Sequence, residues 1–105
     1  MEIGLVTDVF ADSDFDTLLK TCADLKLQQL EFSCGNYTGG KFFNVDKMLE
    51  DEKHRDELVS KIKDYNFKIS AINCHGNPLA PGPYGKKHDE VTRKTIKLAS
   101  LLKLD

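Results

Sequence analysis

The sequence predicts an α/β fold built from three consecutive strand–helix units. Short apolar, strand-like segments lie at residues 1–7, 27–32 and 68–74, and each is followed by a segment with helical apolar spacing. Each unit takes roughly 30–40 residues, the size typical of a parallel strand with its crossover helix. Because such crossovers are right-handed, we expect one parallel sheet with the helices on one side. No linker divides residues 1–105, which we expect to belong to one domain.

The first unit places the polar turn ADSD between its strand and an amphipathic helix. Asp12, Ser13 and Asp14 are alternative N-caps, because each side chain can accept a hydrogen bond from a free helix N–H. The apolar face predicts a helix that ends near Leu25 or Lys26. Its apolar positions are Phe15, Leu18, Leu19, Cys22 and Ala23, and Cys22 is therefore expected in the core.

The second unit combines a weak strand pattern with a glycine-rich loop. We expect residues 33–44 to form that loop, because the segment contains Gly35, Gly39, Gly40 and several polar residues. Asp46 is expected to cap a short helix. A longer helix is expected over residues 51–66, with Asn66 as a left-handed terminator.

The third unit has the clearest strand, and a Gly/Pro loop follows it. The next helix is expected to run from about His88 or Asp89 to Leu102. Three units leave one sheet face and one strand edge uncovered, which parallel sheets rarely tolerate. We therefore expect an N-terminal segment of a longer protein. The alternatives are a small autonomous α/β domain or one that pairs with a second copy.

The composition argues against nucleic acid or an anionic membrane as the main partner. The chain is 40% hydrophobic and 30% charged, with 15 basic and 17 acidic residues and a formal net charge of -2. Mixed signs of charge argue against a nucleic-acid or anionic-membrane surface. No apolar stretch is long enough to span a bilayer, and the N-terminus lacks the basic region of a signal peptide. The odd number of cysteines predicts reduced thiols in a cytoplasmic protein.

Polar residues at the carboxyl ends of the predicted strands are the candidate site. His75 follows the third strand and could ligate a metal, contact a substrate hydroxyl or simply bond to the backbone. Asn73 is expected on the same face as His75, and Asn77 adds a neutral hydrogen-bonding group. Glu31 is a carboxylate in an apolar strand, which is costly unless it is paired, faces a pocket or is solvated at a peripheral strand.

Other polar residues are expected to have ordinary structural roles. We expect Asp8 to cap the helix or loop that follows it. His54 and His88 are expected at the surface or at a helix start. A zinc site made of Cys34, Cys74 and His75 is disfavoured, since the spacing matches no zinc signature and a fourth ligand is missing.

Several segments together resemble the sugar phosphate isomerase/epimerase group of the xylose isomerase-like TIM barrel superfamily. The segments are IGLVTD, LEFSCGNY and ISAINCHGNPLAP, and TIKLASLLKLD resembles the helix before that family's fourth strand. The stretch from Cys74 to Pro78 is the most specific of them. Order and spacing agree over essentially the whole chain, which would correspond to about the first third of such a barrel.

The resemblance implies the first three units of a (β/α)8 barrel whose site lies at the carboxyl ends of its strands. Family members interconvert aldose and ketose, or epimerise a ketose, through an enediol-type intermediate with a divalent metal (manganese, magnesium, cobalt or zinc). It implies that His75 and Glu31 line the pocket. The main acid, base and metal ligands would lie beyond Asp105, so the segment alone is expected to be inactive. Ala80 stands where many relatives have a histidine.

Three functions are therefore open at the level of sequence. The first is a metal-dependent sugar or sugar phosphate isomerase or epimerase of carbohydrate metabolism. The second is a metal hydrolase similar to the barrel-type apurinic endonucleases, in which a histidine at the position of His75 ligates zinc. The third is a module without catalysis, either a sugar-binding barrel or a small homo-oligomerising α/β domain.

Overall fold

Three parallel strands form the centre of the molecule. The computed structural model describes residues 1–37 and 40–104. The strands pair in sequence order, with β2 between β1 and β3 and both pairings parallel, which confirms the predicted α/β class. The strands are β1 (Gly4–Val6), β2 (Gln29–Asn36) and β3 (Lys68–His75).

The helices follow the strands as predicted, and side-chain caps fix where three of them begin. Asp14 accepts from Thr17 N at 2.7 Å, so one of the three predicted caps is confirmed. The predicted cap Asp46 is wrong, because Asn44 has the extended backbone and accepts from Lys47 N at 3.1 Å. The helices are α1 (Phe15–Asp24), α2 (Val45–Glu50), α3 (Glu52–Asp64, capped by Asp51) and α4 (Gly82–Leu101), and a 3₁₀ turn occupies Thr7–Phe10.

The second strand is longer than the sequence pattern predicts. Residues expected to start a loop instead continue β2, with Ser33 opposite Asn73 and Asn36 opposite His75 in β3. Pairing with a long neighbouring strand outweighs the weak strand preference of serine and glycine. The register shifts between Ser33 and Asn36, where Asn36 has a φ of 66°. Of the predicted loop, Thr38 and Gly39 lie outside the described residues.

The last helix begins six residues before the predicted start at His88. Pro81 is its N-cap residue and Pro83 occupies the first turn, where a missing N–H costs nothing. The predicted Gly/Pro loop is therefore correct for residues 76–81, and its remaining residues belong to the first turns of α4. His88 lies inside α4 and is only 5% exposed, so the predicted surface or capping role is wrong.

All four helices pack on one face of the sheet, as predicted. Leu30, Phe32 and Cys34 alternate along β2 and are buried against the helices. The rings of Phe32 and Phe43 stack with centroids 4.2 Å apart. The buried cluster also includes Leu18, Leu19, Cys22, Val45, Met48, Ile62, Phe67 and Leu98. Because side chains alternate along a strand, Glu31 and Ser33 project from the other face.

No helix within the described part of the chain is both long and apolar enough to cross a membrane. In the same part of the chain, β3 has β2 as its single strand neighbour. One edge of β3 is therefore open.

Candidate functional site

Four side chains, from β2, β3 and the 3₁₀ turn that follows β1, form a connected polar network on the face of the sheet that the helices leave open. Asn73 Nδ2 donates to Glu31 Oε1 at 2.7 Å. Ser33 Oγ lies 2.7 Å from Asn73 Oδ1 and 2.9 Å from Asp8 Oδ2. We call Asp8, Glu31, Ser33 and Asn73 the polar network. It joins two carboxyl groups through one hydroxyl and one amide.

The positions of these residues follow from the strand register. Val6 pairs with Glu31 at the end of β1. Asp8 and Ser33 each lie two residues further along the chain, so they come beside each other. Ser33 and Asn73 are direct partners in β2 and β3. Parallel strands bring their carboxyl ends to the same edge, which is where α/β proteins place their ligands.

Below the network, Thr7 anchors the end of the first strand. Its side chain is 1% exposed, and Oγ1 donates to Glu31 O at 3.0 Å. This bond ties the main chain of β2 at Glu31 to the residue that precedes Asp8. The two network carboxyls are therefore held by neighbouring, bonded backbone positions.

The hydrogens of the network can be counted. Asn73 uses its NH₂ group for Glu31, so its Oδ1 is an acceptor towards Ser33. The Ser33 hydroxyl has one hydrogen and two acceptors beside it, Asn73 Oδ1 and Asp8 Oδ2. The hydroxyl therefore donates to one of these two acceptors at a time. The acceptor that the serine does not use is available to a ligand hydroxyl.

The network contains two of the predicted site residues and leaves two apart. Glu31 and Asn73 are in direct contact, as described above. The side chain of His75 is exposed and has no hydrogen bond to a described residue. Asn77 uses Oδ1 to accept from Leu79 N at 3.1 Å, so part of its bonding capacity supports the loop.

Asp8 and Ser33 are network residues that sequence reasoning missed. The expectation that Asp8 caps the following helix is wrong, because its carboxyl contacts Ser33 while Asp14 caps α1. Ser33 was assigned to a loop. A usable signal existed, since Ser33 lies two residues after Glu31 and residues two apart share a strand face.

The described residues do not form a metal centre by themselves. Among residues 1–37 and 40–104, no three His, Cys, Asp or Glu side chains are grouped closely enough to hold an ion. Burial, with a smaller contribution from nearby Cys74, raises the pKa of the Cys34 thiol to about 12. The raised pKa keeps the Cys34 side chain in its neutral thiol form near neutral pH.

The chain has a similar counterpart in Bacillus subtilis (strain 168). Over 102 residues it is 35% identical to the uncharacterized protein YfiH. The alignment covers 97% of this chain and 33% of YfiH, so the chain spans about a third of that relative's length. No protein-family model matches the chain.

Proposed function

We propose that this chain is the N-terminal segment of a xylose isomerase-like (β/α)8 barrel that acts as a metal-dependent isomerase or epimerase on a sugar or sugar phosphate. The polar network carries this proposal. Two carboxyls, an amide and a hydroxyl lie together just after β1 and within β2 and β3, on the face that would line the inside of a barrel. Such groups suit a ligand that presents several hydroxyls.

The architecture supports the barrel part of the proposal. The strands are parallel and pair in sequence order, the helices cover one face, and β3 has an open edge in the described chain. A barrel of this type takes about 250 residues, of which three strand–helix units are a little over a third. The similar B. subtilis protein is about three times the aligned length.

In this proposal the chain binds and orients the sugar, and the reacting groups come from later strands. Glu31 has an oxygen, Oε2, with no hydrogen bond to any residue in the described ranges, and it can accept from a sugar hydroxyl. Asp8 and Ser33 offer a second acceptor and a donor beside it. The divalent metal expected from the family resemblance would take its ligands outside this chain, because the described residues do not supply a ligand set.

The cytoplasm is the proposed compartment. The three cysteines are free, and Cys22 and Cys34 are buried within the core. Free thiols are typical of proteins in reducing compartments.

The test uses the longer protein in which these units are proposed to reside. Turnover is measured on a panel of ketoses and ketose phosphates, before and after treatment with a chelator. Glu31→Gln is expected to lower kcat/KM by about ten-fold or more, because it removes a charged acceptor for a substrate hydroxyl. Glu57→Gln, on the exposed side of α3, is the matched control and should behave like wild type.

Three results would count against the proposal in different ways. Unchanged turnover after chelation would contradict the metal-dependent mechanism. Equal kinetics for Glu31→Gln and Glu57→Gln would remove the polar network from the substrate site. Saturable sugar binding without turnover would favour a non-catalytic sugar-binding barrel.

A further inference from the structure

A cavity of about 380 Å³ lies on the helix-covered side of the sheet. It is enclosed by the carboxyl end of β2, the start of α2 and the first half of α4, and Cys34, Val45 and Val91 supply apolar parts of its wall. Because Cys34 and Ser33 are adjacent on β2, they project to opposite faces. The cavity is therefore separate from the polar network. Its volume is in the range of small-molecule sites.

One wall of this cavity contains an asparagine whose bonding groups are unsatisfied. Asn36 lines the cavity, and its Nδ2 and Oδ1 are both buried without a hydrogen-bond partner among the described residues. Unpaired buried polar groups are costly, so a partner that bonds to them gains more than it would at the surface. The amide offers one donor and one acceptor group.

The opposite wall contains a histidine that is fixed in place. His88 Nδ1 accepts from Asn77 N at 2.8 Å, so in the neutral ring the hydrogen is on Nε2. Nε2 has no hydrogen bond to a residue of the described chain. The ring is held by Tyr84, with centroids 4.2 Å apart, and by the edge of Tyr37 at 5.2 Å. His88 thus presents a donor from a rigid position in the cavity wall.

Asp46 and Lys87 are the charged side chains that line the cavity, and one of them already has an ion pair. Asp46 lines the cavity, but Lys94 Nζ pairs with it at 2.7 Å, and Lys94 also contacts Glu90 at 2.9 Å. Lys87 lines the cavity too and has no ion pair within the described ranges. A ligand here meets an ammonium, an imidazole N–H and an amide NH₂.

We propose that this cavity is a second binding site, and that it takes a small organic anion with a carboxylate or phosphate group. The anion accepts hydrogen bonds from Lys87 Nζ, His88 Nε2 and Asn36 Nδ2, and a ligand hydroxyl can donate to Asn36 Oδ1. Charge-assisted bonds of this kind are the stronger ones in proteins. Val45 and Val91 leave room for a short carbon chain. The site is independent of the proposed sugar site on the other face of the sheet.

The test is an NMR titration of the longer protein in which these units are proposed to reside, with inorganic phosphate, glycolate and glycerol in separate experiments at constant ionic strength. The Asn36 side-chain NH₂ and the methyl groups of Val45 and Val91 are expected to shift and saturate with at least one anion. Comparing the phosphate and glycolate titrations shows whether the site binds a phosphate or a carboxylate group. Glycerol is the neutral polyol control and is expected to leave these signals in place.

Lys87→Gln tests the role of the charge, and Lys86→Gln is its matched control one residue away. Both lysines are exposed, and Lys86 does not line the cavity. Lys87→Gln should weaken anion binding by roughly ten-fold, as expected for loss of a charge-assisted contact, while Lys86→Gln should match wild type. Amide spectra of both variants check that the fold is retained.

Three outcomes would overturn this proposal. They are no saturable shift with either anion, glycerol binding as tightly as the anions, and equal weakening by Lys86→Gln and Lys87→Gln. None of them bears on the sugar site, because Glu31 and the network are unchanged in both variants.

Discussion

Replacing Asn73 by aspartate tests the polar network most directly. In the wild type, Asn73 Nδ2 donates to Glu31 Oε1 at 2.7 Å and Oδ1 lies 2.7 Å from Ser33 Oγ. Asn73→Asp keeps the shape and the oxygen beside Ser33 but replaces the donor with a second acidic oxygen. Two carboxyl groups then lie against each other, and they can share the contact only when one of them carries a hydrogen.

The expected loss of stability can be calculated from the repulsion between the carboxylates of residues 31 and 73. Two unit charges about 4 Å apart repel by about 1 kcal/mol in water and by about 4 kcal/mol at an effective dielectric constant of 20. Glu31 and Asn73 are both partly buried, so the loss should fall between these limits. Domains of this size are stable by only about 5–15 kcal/mol, so the effect is measurable by urea unfolding.

The loss of folding stability in the variant should grow as the pH rises. Like-charge repulsion raises the pKa of the new carboxyl pair in the folded variant above the value of about 4 in the unfolded chain. The variant is therefore close to wild type below about pH 4, and its stability falls relative to wild type as the pH rises towards neutrality. Asn73→Leu is the control, because it removes the same bond without adding a titrating group.

The measurement is the difference in free energy of unfolding between wild type and variant, at intervals from about pH 3.5 to about pH 8. A difference that does not change with pH would refute the contact between residues 31 and 73. So would a pH profile shared by Asn73→Asp and Asn73→Leu.

Three further predictions concern the loops and thiols around the site. Gly76→Ala places a β-carbon 2.7 Å from His88 Nδ1, so it should destabilise the chain by about 1–3 kcal/mol. Hydrogen exchange in the loop after β3 should become faster, and unchanged exchange would contradict the contact. In Gly85→Ala the added β-carbon overlaps a main-chain carbonyl oxygen of the preceding loop, so the variant should melt several degrees lower or fail to fold. A melting curve equal to that of wild type would show that α4 begins differently. Since burial raises the pKa of Cys34 to about 12, iodoacetamide at about pH 8 should label the partly exposed Cys74 before Cys34. Labelling is followed by mass spectrometry, and equal rates at Cys34 and Cys74 would refute the burial of Cys34.

The fold was predictable where apolar periodicity and local caps agree. The three strands, their parallel arrangement and the core position of Cys22 all follow from patterns in single segments. The end of β2 did not, because Ser33 and Gly35 have weak strand preference and extend the strand through pairing with β3. The start of α4 was missed since proline and glycine also suit the first turn of a helix.

The candidate site was predictable only in part. Glu31 and Asn73 were selected because polar groups at strand ends are unusual, and they meet in the structure. Asp8 and Ser33 join them through contacts between residues 25 and 40 apart in the sequence, and these contacts depend on strand register. His88 was misjudged because a histidine among charged residues looks solvent-exposed, and its burial depends on how α4 packs beside Tyr37 and Tyr84.

The sequential strand order has a consequence for how the molecule assembles. β1 must close a segment of about 25 residues to meet β2, and β2 about 40 residues to meet β3, so each new strand adds to the sheet already formed. Closing such short segments costs little chain entropy, and assembly can follow synthesis from the N-terminus. Within the described residues, the outer edge of β3 keeps a row of backbone N–H and C=O groups that no strand pairs with.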